Sequence, residues 1–127
     1  MSPRSVGSIE LLDASPARLH IVLSGELDCM ITARARELIG PVREAATVAY
    51  VDASAVTFID ASGLSAITAL ATSSGRKPVL IRPPAIMRFL LQVTGLTEVF
   101  TVDAGPHGSR AAHGAGAHRA PVPRVLR

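Results

Sequence analysis

Residues 57–64, TFIDASGL, place an acid, a hydroxyl and a glycine within four positions at the end of an apolar run. The carboxylate of Asp60 could cap a helix or take part in metal or nucleotide contacts. Ser62 carries a hydroxyl on a short side chain, and Gly63 leaves room for an approaching partner or enzyme. Because a helix N-terminus favours negative charge, a phosphate could be held at this turn. Local chemistry alone favours the simpler interpretation, a plain N-cap at Asp60 or Ser62, and a phosphate-binding or modified turn stays open as the alternative.

The segments on either side of this turn predict strands that alternate with helices. Apolar runs of strand length, or runs of alternating polarity, predict strands at 8–13, 18–25, 46–54, 77–82 and 98–102. Helical spacing predicts helices at 26–40, at 62–74 and from the Pro83–Pro84 pair to Gly95. The order β-β-α-β-α-β-α-β predicts a single-domain α/β fold, with a mostly parallel sheet and right-handed crossovers. The short turn ASPA, residues 14–17, predicts an antiparallel hairpin that leaves the first strand at one edge.

The residue patterns of three elements also predict where a helix begins and ends and which faces are buried. The first helix is predicted to begin at Asp28 as its N-cap and to stop at Gly40. The strand at 46–54 is apolar throughout, which favours a central parallel strand buried on both faces. The last helix has the clearest amphipathic pattern, and its apolar face is expected to contact the core. That face consists of Ile86, Phe89, Leu90 and Val93.

Composition describes one domain with an aliphatic core. The chain has 127 residues, of which 48% are hydrophobic and 3% aromatic, with no Trp. This length can bury a core without disulfides or metals. A single cysteine, Cys29, excludes an intrachain disulfide framework and favours a reducing compartment. The first ten residues lack the apolar region of a signal peptide, and no stretch is long enough to span a bilayer. A cytoplasmic protein without a membrane partner is therefore expected.

The basic charge belongs to the end of the chain. After Asp103 there are no acids and four arginines, whereas residues 1–103 hold nine basic and ten acidic residues. The positive net charge of +3 therefore does not indicate nucleic-acid binding by the domain. We predict a flexible lead-in at 1–7, a domain at 8–103, and a disordered Gly/Ala/Arg/His tail at 104–127.

The residues needed for common catalytic sites are missing. His20 is the only histidine before the tail, which nearly excludes histidine-based acid–base catalysis. The sequence has no Ser-His-Asp set, no P-loop, and no cluster with metal-ligand spacing. The prediction is a protein that is not an enzyme and that holds no cofactor or metal.

Residues 51–67, VDASAVTFIDASGLSAI, resemble the signature of STAS domains, the family of anti-sigma factor antagonists and sulphate-transporter tails. The residues shared with that signature are Asp52, Ser54, Val56, Phe58, Ile59, Asp60, Ser62, Gly63 and Leu64. Two further features are similar to the family in the same order, Gly25-Glu26-Leu27-Asp28 and Thr94-Gly95-Leu96 with Phe100. The resemblance covers about residues 8–103. It departs from the family at Ala61, where a serine is often found.

The resemblance implies a function as well as a fold. Ser62 would be the serine that is phosphorylated by an anti-sigma factor serine kinase, and a serine phosphatase would restore the hydroxyl. The unphosphorylated protein would bind the anti-sigma factor and free the sigma factor, without direct contact to nucleic acid. The implied partner-binding residues are Asp28, Asp60, Ala61, Ser62, Gly63 and Leu64. The alternative is a STAS subunit of a stress-sensing or lipid-transport complex.

Overall fold

The computed structural model describes residues 6–15 and 18–103, and these residues form the element order that the sequence predicts. The strands are β1 (Ser8–Ser15), β2 (Arg18–Leu27), β3 (Ala49–Ile59), β4 (Val79–Ile81) and β5 (Thr101–Asp103). The helices are α1 (Thr32–Ala45), α2 (Ala61–Thr72) and α3 (Ala85–Thr94). Two short 3-10 turns, Cys29–Ile31 and Thr97–Val99, precede α1 and β5.

The five strands lie side by side in chain order. β1 pairs antiparallel with β2, and each later pair is parallel. The predicted fold class and the edge position of the antiparallel strand are therefore confirmed. Because each parallel strand is added on the same side of the previous one, right-handed crossovers place the connecting helices on one face of the sheet.

Burial along the strands agrees with this one-sided arrangement. In β2 the alternate residues Leu19, Ile21 and Leu23 are fully buried. In the first half of β3, Val51 is buried while its neighbour Asp52 is half-buried on the opposite face. β3 is central and parallel as predicted, but burial on both faces was wrong. The apolar run concealed an alternation, because Ala49, Val51 and Ala53 are buried on the helix-covered face while Tyr50 and Asp52 are half-buried on the other.

His20 lies on the opposite face and is nonetheless buried. Its ring centroid is 5.4 Å from that of Tyr50, its partner in the β2–β3 register. Only 2% of His20 is exposed, so this polar side chain is enclosed by the protein although the helices cover the other face of the sheet.

The first helix differs from its prediction at both ends. Residues 26 and 27 extend β2, and Asp28 caps the 3-10 turn that precedes α1. The helix passes through Gly40 and ends where Ala46 adopts a left-handed conformation, with φ of 51°. Gly40 is exposed and lowers helix stability by about 1 kcal/mol. Val42 is fully buried, and burial of such a side chain contributes about 1.5–3 kcal/mol, which favours continuing the helix.

The bounds of the last helix are close to the prediction, but only half of its predicted core-facing residues contact the core. Ile86 and Leu90 are partly buried against the core, as predicted. α3 ends at Gly95 in a left-handed conformation, as the sequence indicates. Met87 and Leu91 are the buried residues, whereas Phe89 is 61% exposed and Val93 is 59% exposed. Apolar residues cover a wider arc of α3 than the core contacts, so spacing alone could not identify the inward side.

The structure can be compared with the predicted start of the domain, but not with the predicted tail that follows it. Val6 forms an isolated parallel bridge with Glu26, so pairing beside β2 begins before Ser8. The predicted tail at 104–127 and most of the lead-in, residues 1–5, lie outside the described residues, as do turn residues 16–17. Among the described helices, none combines the length and the apolarity that crossing a membrane requires.

Candidate functional site

A single residue, Asp60, connects the central strand β3 to α2. It is extended, and its Oδ1 accepts a hydrogen bond from the backbone N–H of Gly63 at 2.9 Å. The same oxygen accepts a hydrogen bond from the hydroxyl of Ser62 at 3.0 Å. Of the two caps that the sequence left open, Asp60 is the one used. Ser62 is exposed, so its hydroxyl remains at the surface of the first turn of α2.

A close approach between the start of α2 and the end of β2 requires a glycine at position 63. A Cβ at this position would overlap the backbone carbonyl of Leu27, at the end of β2. Gly63 is buried, and Leu64 is fully buried in the core. The glycine leaves room for the backbone of β2. The Leu64 side chain faces the core, and a part for these two residues in partner binding stays a prediction.

The ends of β2 and β3 bring the two predicted acids to one edge of the sheet. Leu27 pairs with Ile59, and the backbone N–H of Asp60 donates to the carbonyl oxygen of Leu27 at 3.2 Å. Asp28 follows Leu27 as Asp60 follows Ile59, so both carboxylates lie at the carboxyl end of the sheet. The Asp28 side chain accepts a hydrogen bond from the backbone N–H of Met30 at 3.0 Å.

Two residues beside Asp28 are exposed at the surface. Met30 is 81% exposed, although large apolar side chains are usually buried in a folded protein. Cys29 is exposed as well, so its thiol lies outside the aliphatic core. The short 3-10 turn explains both cases, because it directs only Ile31 into the core.

An open groove between α1 and α2 begins at Ser62 and has a volume of about 390 Å³. Four residues from each helix line it: Thr32, Ala35, Arg36 and Ile39 from α1, and Ser62, Ser65, Ala66 and Ala69 from α2. Sequence reasoning missed every lining residue except Ser62. Spacing of three and four residues identifies a face on each helix. It does not show which face of α1 lies beside α2.

The site carries charge of both signs. Asp28 and Asp60 supply two carboxylates at the sheet edge, and Arg36 supplies a guanidinium at the groove. Among residues 6–15 and 18–103, no group of three or more histidines, cysteines and acids is arranged to hold a metal ion. The geometry is that of an acidic sheet edge beside a groove between two helices, with the exposed hydroxyl of Ser62 between them.

A five-stranded sheet with its helices on one face, and a second helix capped by Asp60, define a class of small α/β domain. Residues 10–102 match the family model described as "Mlab, STAS domain". The match covers most of the chain, and the chain belongs to this family of STAS domains. None of the curated proteins matches it in sequence.

Solved structures with the same fold include several anti-sigma factor antagonists. One from Mycobacterium paratuberculosis has a TM-score of 0.68 at 21% identity, covering 88% of this chain and 97% of that one. The unphosphorylated form of SpoIIAA has a TM-score of 0.60 at 18% identity, over 87% of this chain and 100% of that one. The phosphorylated form of SpoIIAA from Bacillus has a TM-score of 0.55 at 20% identity, over 84% and 100%.

Proposed function

We propose that this chain is an anti-sigma factor antagonist, which binds an anti-sigma factor kinase and is switched off by phosphorylation of Ser62. The observation that carries the proposal is the position of the Ser62 hydroxyl. It is exposed at the start of α2. Asp60, two residues earlier, caps the helix, and Gly63, the next residue, packs closely against Leu27. A kinase can therefore reach the hydroxyl without unfolding the helix.

The proposed modification is a phosphoryl transfer from ATP. The bond between the γ-phosphorus and the bridging oxygen breaks, a bond from that phosphorus to Oγ of Ser62 forms, and ADP leaves. The hydroxyl proton must depart in the same step, and Oδ1 of Asp60 already accepts the hydrogen bond of that hydroxyl. Asp60 thus orients Oγ and offers a place for the proton. A serine phosphatase would reverse the modification by hydrolysis.

Charge is sufficient to explain how such a modification would release a partner. Phosphorylation adds nearly two negative charges beside the carboxylates of Asp28 and Asp60. A partner surface that fits the uncharged hydroxyl would then meet three negative groups. Losing about 3 kcal/mol of binding free energy lowers affinity roughly a hundredfold. Because Ser62 is exposed, this change requires no rearrangement of the core.

The solved relatives support the same interpretation. SpoIIAA is described as an anti-sigma factor antagonist, and its structures include an unphosphorylated and a phosphorylated form. The fold similarity, together with a capped and exposed serine at the start of α2, favours phosphorylation of Ser62 in this chain. A cytoplasmic location follows if the kinase, the sigma factor and this chain act together.

The test is a kinase assay with matched serine variants. The purified protein is incubated with ATP and its suspected anti-sigma kinase, and the phosphate is located by mass spectrometry. We expect a single phosphate on Ser62 and none in the Ser62→Ala variant. Ser65→Ala is the matched control, because Ser65 is exposed on the next turn of the same helix and lines the same groove. Equal phosphorylation of the Ser62→Ala variant would reject the proposal.

The second candidate is a STAS subunit of a stress-sensing or lipid-transport complex. It is favoured by one finding, since the matching family model is described as Mlab and not as an anti-sigma factor antagonist. Stable co-purification with a large complex or an ATPase, unchanged by Ser62→Ala, would support this candidate over the first.

A further inference from the structure

We propose that Arg36 binds the phosphate of phosphorylated Ser62, and that the groove between α1 and α2 is the pocket in which this occurs. The inference rests on the proposed function, because it assumes that Ser62 becomes phosphorylated. It adds a regulatory residue on a second helix, which neither the STAS resemblance nor the sequence pattern indicated. Arg36 and Ser62 line the same groove from opposite helices.

Arg36 is available for an anion. Across residues 6–15 and 18–103, its guanidinium has no hydrogen bond or ion pair. Its neighbour Arg34 is engaged, since it donates to the carbonyl oxygen of Ile9 and pairs with Glu37, both at 3.3 Å. Guanidinium groups bind phosphate strongly because their planar N–H groups match the spacing of two phosphate oxygens. Of these two arginines, the one at the groove is therefore the free one.

Repulsion directs the phosphate towards this arginine. In the unmodified protein Ser62 donates its hydrogen to Asp60. Phosphorylation removes that hydrogen and places a dianion beside a carboxylate, which destabilises the original side-chain orientation. Asp60 cannot easily move away, because it also accepts the N–H of Gly63 at the helix cap. The Ser62 side chain is exposed, and its rotation away from Asp60 would take the phosphate into the groove that Ser62 lines.

The lining of the groove can accept the phosphate. The hydroxyls of Thr32 and Ser65 are available donors, and the remaining lining residues are mostly small alanines. A water molecule occupies about 30 Å³ in the liquid. A groove of about 390 Å³ therefore holds a phosphate without separating the two helices.

This arrangement changes what phosphorylation does to a partner. The phosphate would fill the end of the groove nearest Ser62 and neutralise Arg36. A partner side chain that enters the groove, or a partner carboxylate that pairs with Arg36, would then be excluded. Release would result from occupying the groove as well as from adding charge.

The test measures the second pKa of the phosphate in protein that carries phosphoserine at position 62, introduced by genetic encoding. Phosphorus-31 NMR follows the titration in wild type and in Arg36→Gln. The carboxylates of Asp28 and Asp60 are the same in every variant, so the difference in phosphate pKa between variants reports the contribution of Arg36. We expect Arg36→Gln to raise the phosphate pKa by about 0.5 unit, because a nearby cation favours the dianion.

Two variants control the measurement. Arg43→Gln removes the same charge from the last turn of α1, about 10 Å further along the helix, and should shift the pKa by less than about 0.1 unit. Arg36→Lys should restore most of the wild-type value. Identical titrations of wild type and Arg36→Gln would overturn the proposal. Since the phosphoserine is encoded, this result does not depend on the kinase assay, and the two proposals can fail separately.

Discussion

The hydroxyl of Ser62 and the carboxylate of Asp60 lie 3.0 Å apart and are joined by a hydrogen bond. This pair combines a structural task with an exposed nucleophile. Asp60 follows β3, caps α2 and orients the Ser62 hydroxyl. A change at Asp60 should therefore lower the stability of the fold, whereas a change at Ser62 should affect modification and leave stability almost unchanged. The variants below use that difference.

Ser62→Asp should leave stability almost unchanged while imitating part of the charge of a phosphate. Ser62 is exposed, and surface substitutions usually change the free energy of unfolding by less than about 0.5 kcal/mol. Urea denaturation measures this. Leu64→Ala, two residues further on, is the matched comparison, because loss of a fully buried leucine should cost about 2–5 kcal/mol. A large loss of stability in Ser62→Asp would show that the hydroxyl supports the fold.

Asp60→Ala should destabilise the protein by about 1 kcal/mol through loss of the cap of α2. Asp60→Asn keeps an oxygen that accepts from the N–H of Gly63, so its loss should be only a few tenths of a kcal/mol. Thermal denaturation monitored by circular dichroism distinguishes the two variants. Equal losses for both would mean that the charge of Asp60, and not its hydrogen bonds, stabilises α2.

Gly63→Ala should be far more harmful than an ordinary helix substitution. Alanine normally favours a helix over glycine by about 1 kcal/mol. Here the added methyl group overlaps the carbonyl of Leu27, so the start of α2 must move away from β2. We expect a net loss of at least about 2 kcal/mol, measured by urea denaturation. Gly40→Ala is the control, because a Cβ at that helical glycine meets no atom within 4 Å, and this variant should be stabilised.

Two residues of α3 that are two positions apart should differ strongly in how much their replacement by alanine destabilises the protein. Leu91→Ala removes a buried side chain and should cost about 2–5 kcal/mol. Phe89→Ala removes a larger side chain that is mostly exposed, and should cost less than about 1 kcal/mol. Chemical denaturation of both variants tests the orientation of the helix. If Phe89→Ala were the more harmful change, the inward face predicted from the sequence would be restored.

The order of elements was predictable because each one has its own periodicity and its own stop. The antiparallel edge of β1 followed from a short turn, and the end of α3 from Gly95. The rotation of α3 was not predictable, because its apolar residues cover more than one face and only contact with the sheet decides which of them is buried. Gly40 shows the same limit, since burial of Val42 outweighed a local stop.

The candidate site was predictable only where one stretch of chain contains it. Asp60 and Ser62 are two residues apart, so their proximity follows from the sequence alone. Arg36 lies on another helix, and its distance from Ser62 depends on how α1 packs against α2. The packing role of Gly63 was not predictable for the same reason, because the carbonyl that requires a glycine belongs to β2.

The one-residue connection between β3 and α2 has a thermodynamic consequence. Ser62 is attached through Asp60 to the middle strand of the sheet, and not to a long surface loop. A protein that docks on it meets backbone that is already held in place, so association loses little conformational entropy at this edge. Affinity is then governed by complementarity of charge and shape, and a single added phosphate can dominate it.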